Sequence, residues 1–238
     1  MRLSEVYLSI QGEGPRVGKP TVFVRFAGCN LKCPGWPCDT DFAINPAFRE
    51  QWLIQSPQEI YYMIEEAAQG ISGINICLTG GEPFLQNKDE MLELCNLLDD
   101  LEGIDTIECF SNGVLEYPEW AFKRIAFVMD WKLPGSGEGE VMGKRRENFA
   151  NFTNKDAVKF TIADDADLAK AIEIWETEID NEEAFMAANG EEIQIFYGAV
   201  WGKIENSDLI EKVLELGLSW RFTMQIHNHI WNRTQRGI

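Results

Sequence analysis

The sequence predicts an α/β protein, an incomplete and open (β/α) barrel of about six strand–helix units. Three observations carry this expectation. Short β-branched apolar runs alternate with amphipathic helical stretches, the pattern of a parallel sheet with crossover helices. The loops after the first two runs hold the densest cysteine and glycine motifs of the chain, and in such sheets the working loops lie beyond the carboxyl ends of the strands. The length of 238 residues approaches the ~250 of a full eight-unit barrel, yet fewer units can be counted, so the barrel stays open. No repeat, low-complexity tract or Pro/Ser-rich linker divides the chain, and a single domain over residues 1–238 is expected.

The first expected strand is TVFVRFA (21–27) and the second INICLT (74–79), both ending in Gly-containing loops. The helix between them is well punctuated. Ser56 is its N-cap, Pro57 its first residue and Glu59 completes a capping box; Ile60, Met63, Ile64 and Ala67 form the apolar stripe, and Gly70 ends it. Asn87 and Glu90 open the next helix, with Met91, Leu94, Cys95 and Leu98 on one face. Strands at 106–110, 125–131 and 157–162 follow. A helix striped by Leu168, Ile172, Trp175 and Ile179 leads to a strand near 193–197. A helix over 207–216, stopped by Gly217, precedes a last extended segment at 219–226.

Charge and cysteine usage narrow the function classes. The net charge of −18 repels a phosphate backbone, so no nucleic-acid partner is expected. No run approaches the ~18 apolar residues of a membrane helix, and the opening MRLSEVYLSI lacks a leader pattern, so a cytoplasmic protein is expected. Much of the acid lies at 164–192, eleven Asp and Glu against one Lys, which reads as a solvated helix face and loop. GKRR (143–146) reads as an exposed loop, the one basic spot able to meet an anionic partner. Of six cysteines, Cys77, Cys95 and Cys109 are scattered through apolar segments as core thiols, whereas Cys29, Cys33 and Cys38 share one short stretch.

That stretch, GCNLKCPGWPCDT in the loop 28–41, follows the first expected strand. Three thiolates from one loop leave a metal position open, as a catalytic four-iron cluster requires; a zinc site completed by His227 or a distant Cys is the other reading. TGGEP follows the second strand, with Gly80 and Gly81 allowing close backbone approach and Glu82 able to accept from an ammonium; as structure alone it is a turn and a solvated acid. Arg25 interrupts an apolar strand, and a buried guanidinium without an anion is costly, which marks it as functional. Weaker signals have plainer alternatives. Glu13 fits a surface acid in a Gly-flanked loop, Asp130 and Lys132 a strand-end ion pair, and Gln225, His227 and His229 the polar face of a strand.

A three-Cys loop after one strand with GGEP after the next resembles the radical S-adenosylmethionine (SAM) superfamily. The resemblance implies that Cys29, Cys33 and Cys38 bind three irons of a [4Fe-4S] cluster whose fourth iron is chelated by SAM, with Gly81 and Glu82 at its methionine end. The second cysteine interval, Pro34 to Pro37, is four residues where the superfamily's commonest spacing is two. Trp36 is then the candidate to pack on the SAM adenine. The flanks SIQGEG (9–14), GKPTVFVRFAGC (18–29), CDT (38–40), DWKLPGSG (130–137), VKF (158–160), MQIHNHIW (224–231) and the closing RGI are similar to the 7-carboxy-7-deazaguanine synthase family.

Membership would imply a lyase that converts 6-carboxy-5,6,7,8-tetrahydropterin to 7-carboxy-7-deazaguanine with loss of ammonia, a radical ring contraction toward deazapurine nucleosides such as queuosine. By matching position, Gln11, Gly12 and Glu13 read the pterin edge, Arg25 clamps its carboxylate, Thr79 touches the ring, and His227 and the Ile238 carboxylate close the site within the segment 219–238. Thr40 binds Mg²⁺; Ser111, Asn112, Asp130, Trp131 and Lys132 line SAM. The resemblance also implies an electron donor such as flavodoxin or ferredoxin, and a homodimer. Two other readings compete: an activase that makes a glycyl radical in a partner protein, and a non-catalytic zinc or Fe–S module.

Overall fold

The computed structural model describes residues 1–36, 38–179, 193–231 and 236–237. Ile238, the acidic stretch 180–192 and part of the closing segment lie outside the described residues. Nine described strands form one sheet in the order β3-β1-β2-β4-β5-β6-β7-β8-β9. It opens with an antiparallel hairpin of β1 (Arg2–Ile10) and β2 (Pro20–Phe26), with β3 (Leu53–Ile54) added beside β1. From β2 onward every pairing is parallel, through β4 (Ile74–Gly80), β5 (Ile104–Ser111), β6 (Ala126–Asp130), β7 (Ala157–Ile162), β8 (Gln194–Ala199) and β9 (Arg221–Phe222). The two ends of the described sheet are not joined, so the barrel is open.

Crossovers run through α2 (Pro57–Ala68), α3 (Lys88–Asp99), α4 (Glu119–Arg124), α5 (Arg145–Phe149), α6 (Asp165–Ile174) and α7 (Asn206–Glu215), six in the described chain; α1 (Asp41–Ile44) and α8 (His227–Ile230) are single turns. The expected capping box is present: the Ser56 hydroxyl accepts from Glu59 N–H and the Glu59 carboxylate from Ser56 N–H. Asn87 caps α3 by accepting from Asp89 and Glu90. Both helices bury the expected stripe, including Ile60, Ile64, Met91, Leu94 and Leu98.

Three expectations are corrected. β1 was not among the expected strands, because RLSEVYLSI alternates polar with apolar residues; one of its faces looks into a polar cavity, which breaks the apolar signal. The segment 219–226 is extended only at β9, and His227 lies on the turn α8 rather than on a strand, so the polar-face reading of Gln225, His227 and His229 fails. In GKRR, Lys144 and Arg146 are exposed, but Arg145 is fully buried and donates through Nε to Asn112 O at 3.0 Å.

Period-two alternation sorts the parallel strands into two faces. Val22, Val24, Phe26, Ile76, Leu78, Phe127, Met129, Val158 and Phe160 pack under the helices as the main core. Their neighbours in sequence face the other way.

Candidate active site

Those neighbours surround a cavity of about 620 Å³. Its walls carry Glu5 and Tyr7 of β1, Phe23 and Arg25 of β2, Cys77 and Thr79 of β4, Phe110 of β5, Asp130 of β6 and Lys159 of β7. Cys77 is buried on this face, which corrects its placement in the core; Cys95 and Cys109 do pack there.

Cys29, Cys33 and Cys38 also line the cavity, all free and half-buried. Their loop is fastened to the loop after β6: Lys32 N–H donates to the Glu138 carboxylate at 2.8 Å and Gly35 N–H to Ser136 O at 3.0 Å. Cys33 adopts a left-handed φ of 42°, a local cost of the tight winding. Leu31 N–H reaches Cys29 Sγ at 3.4 Å, and the Thr40 hydroxyl lies 3.4 Å from Cys38 Sγ.

Burial pushes the Cys29 thiol up to about 11, and raises Cys33 and Cys38 as well. Each of the other two thiolates raises Cys29 further, so the three sulfurs are electrostatic neighbours that need cationic charge to ionise together. Among the described residues, no three His, Cys, Asp or Glu side chains are grouped as ligands of a single ion. Three thiols on the wall of one cavity have the ligand chemistry of a cluster, in which each sulfur takes a separate iron.

Beside the thiols, Gly80, Gly81, Ser111, Asn112, Asp130 and Lys132 face the cavity. A side chain on Gly81 would collide with the Gly28 carbonyl, so only glycine lets this turn pack on the cysteine loop. Asn112 Nδ2 donates to Asn30 Oδ1 at 3.0 Å and approaches Cys29 Sγ at 3.9 Å. Lys132 Nζ donates to Asp130 Oδ2 at 2.7 Å. Burial alone would lower the Lys132 ammonium, but Asp130 and Cys33 raise it above its ordinary value.

Three expected SAM contacts are placed elsewhere. Glu82 is fully buried and accepts from the Ser111 hydroxyl at 2.7 Å, Asn112 N–H at 2.9 Å and Phe84 N–H at 3.1 Å, so its carboxylate shapes the wall from behind. Trp131 is 1% exposed and meets Phe149 edge-on in the core, because alternation turns it away from the face Asp130 occupies. Trp36, half-buried, is not on the cavity wall.

The same cavity is lined by Gln11, Gly12, Glu13, Arg25, Thr79 and His227. Gln11 Nε2 donates to the fully buried Glu108 carboxylate, and its Oε1 accepts from Gly12 N–H at 2.8 Å. A side chain on Gly12 would run into His227 Nδ1, which sets the imidazole against this loop. Arg25 donates through Nε to Glu5 at 2.8 Å and through Nη2 to the Tyr7 hydroxyl at 2.7 Å. Burial opposes its charge, but Tyr7 and Glu5 outweigh that and raise the guanidinium above its ordinary value. Thr40 and Asp39 line the cavity beside Cys38. Burial would push the Asp39 carboxyl up, but the hydrogen bond from Gln225 at 2.9 Å, with Arg25, Lys159 and Lys132, holds it below the usual carboxylate range. Arg236 and Gly237 also reach the cavity.

Sequence reasoning missed Glu5, Asp39, Glu108, Glu138 and Lys159. For Glu108 in DTIECF and Lys159 in AVKFTI the signal existed: a charge inside an apolar strand, the same signal that singled out Arg25.

A family profile described as a 4Fe-4S single cluster domain matches residues 10–123. A 7-carboxy-7-deazaguanine synthase of Clostridium acetobutylicum is 34% identical, covering 100% of this chain and 99% of the relative. One from Leptospira interrogans is 30% identical over 98% of this chain and 96% of its own. The crystal structure of QueE from Escherichia coli superposes with a TM-score of 0.68 at 21% identity, covering 94% of this chain and 93% of that one; native anSMEcpe, solved with bound AdoMet and a peptide, gives 0.50 at 14% identity over 82% and 60%. Both show the fold. With three cysteines on the wall of an open-barrel cavity and similarity to these relatives along its full length, the chain belongs to the 7-carboxy-7-deazaguanine synthase family of radical SAM enzymes.

Proposed function

We propose that this chain, working as one domain, converts 6-carboxy-5,6,7,8-tetrahydropterin to 7-carboxy-7-deazaguanine and ammonia. The observation that carries the reading is a single cavity lined by Cys29, Cys33 and Cys38 together with Gln11, Glu13, Arg25, Thr79 and His227. Bound at the thiols, a [4Fe-4S] cluster with SAM supplies one-electron chemistry, a carbon radical able to take hydrogen from a C–H bond.

The chain's own work is binding and exclusion of water. Gln11 and Glu13 meet the donor and acceptor edge of the heterocycle, and Arg25 meets its carboxylate with the guanidinium N–H groups that Glu5 and Tyr7 leave open. Gly81, Ser111, Asn112, Asp130 and Lys132 hold SAM. The Thr40 hydroxyl, beside Asp39, offers the oxygen donors that suit Mg²⁺, and the ion would join the substrate carboxylate to this wall. A flavodoxin- or ferredoxin-type reductant, a homodimer and a cytoplasmic location belong to the same reading. No described helix is long and apolar enough to cross a membrane.

The site favours this over a glycyl-radical activase, which needs a protein-docking surface and has no use for Arg25 and Glu13 on a cavity wall. The test is omission of Mg²⁺ from a reconstituted reaction together with Thr40→Ala. Both are expected to lower pterin turnover at least tenfold while the cluster spectrum persists; turnover indifferent to both contradicts the metal assignment.

A further inference from the structure

Lys159 stands on the cavity wall inside the apolar run AVKFTI of β7, its side chain 10% exposed. Burying an ammonium is costly unless it is paired; the Glu13 carboxylate pairs with it, and a second carboxylate stands on the neighbouring strand. Its Nζ donates to Glu13 Oε2. Its in-register partner on β6 is Asp130, and the strand ends are tied by Trp131 N–H donating to Lys159 O at 2.9 Å. Burial pulls the ammonium down, but Glu13 and Asp130 outweigh it and raise it above its ordinary value. Lys159 therefore stands charged between the loop that follows β1 and the strand end that carries Asp130 and Lys132.

The loop after β1 thus has two anchors from below. Glu108 of β5 receives Gln11 Nε2, and Lys159 of β7 grips the Glu13 carboxylate. A carboxylate meant to accept from two adjacent N–H donors of a heterocycle must point one way, and a free Glu side chain has several rotamers to lose on binding. Held by Lys159, Glu13 has lost them beforehand.

We propose that Lys159 is a positioning residue for the substrate: paired with Glu13 on the cavity wall, it fixes the Glu13 carboxylate toward the donor edge of the heterocycle. The proposal rests on the functional reading above. It acts through Glu13, so its effect must vanish when Glu13 can no longer serve.

The test is a double-mutant cycle on the reconstituted full chain, with Lys159→Met, Glu13→Gln and the double variant, reading KM for 6-carboxytetrahydropterin and kcat separately. Iron content and cluster absorbance report whether each variant still folds around its cluster. Lys159→Met is expected to raise KM at least tenfold with a smaller change in kcat, Glu13→Gln to do the same, and the double variant to be no worse than the poorer single. Lys159→Arg, which keeps the charge, is expected to recover most of the loss. Multiplying effects in the double variant, or an unchanged KM in Lys159→Met, overturn the proposal. Should Lys159→Met lose its cluster, the double variant, which leaves no unpaired carboxylate at residue 13, carries the comparison with Glu13→Gln: equal KM supports the proposal and a further rise overturns it. A wild-type protein that cleaves SAM but leaves the pterin untouched overturns the functional reading itself.

Discussion

Arg25 holds Glu5 and the Tyr7 hydroxyl before any substrate arrives. A guanidinium fixed in this way is pre-oriented, and losing it removes a charge-assisted contact of about 1.5–3 kcal/mol. Arg25→Ala is expected to lower kcat/KM for the pterin roughly tenfold to a hundredfold, while cluster assembly persists. Glu108 makes a different prediction. Burial raises its carboxyl against the lowering effect of Gln11, Arg16 and Asn75, so the unfolded chain gives up this proton more readily than the folded one. Stability from this group is therefore lost as pH rises from about 4.5, the ordinary value, through the raised one. In Glu108→Gln that slope disappears: denaturant melts across acid pH should show wild type losing ground to the variant as pH rises. Arg25 was legible in the sequence because it interrupts an apolar run. Glu82 was legible as a residue but not in its role, since hydrogen bonding from Ser111 and Asn112 depends on β5 lying beside β4, which no local pattern states.

Helices α2 and α3 were readable because their signals are local: a cap, a stripe and a stop. Ser56→Ala should cost about 1 kcal/mol, seen as a lowered midpoint in urea with the slope unchanged. Strand β1 was not readable, because Glu5 and Tyr7 face a polar cavity and only the register with β2 explains them. The cysteine loop lies between these cases. Its thiols were evident from spacing, whereas its fastening to Glu138 and Ser136 joins segments about a hundred residues apart. Glu138→Ala removes the acceptor for Lys32 and Cys33 N–H. Reconstituted protein should then bind less iron per chain than wild type, while its far-ultraviolet circular dichroism stays the same.

For the whole molecule, the open barrel brings residues from both ends of the chain, Gln11 and His227 among them, to one cavity with the three thiols. Alternation and loop position made the barrel predictable. Which side chains face inward became clear only from the pairing of nine strands. The central claim is that one cavity joins cluster chemistry to a pterin. Its most direct test is anaerobic reconstitution with iron and sulfide, dithionite reduction, and incubation with SAM, Mg²⁺ and 6-carboxytetrahydropterin, followed by mass spectrometry. The account predicts 7-carboxy-7-deazaguanine, absent when Cys29, Cys33 or Cys38 is replaced by Ala. A reduced cluster that cleaves SAM and leaves the pterin intact would contradict it.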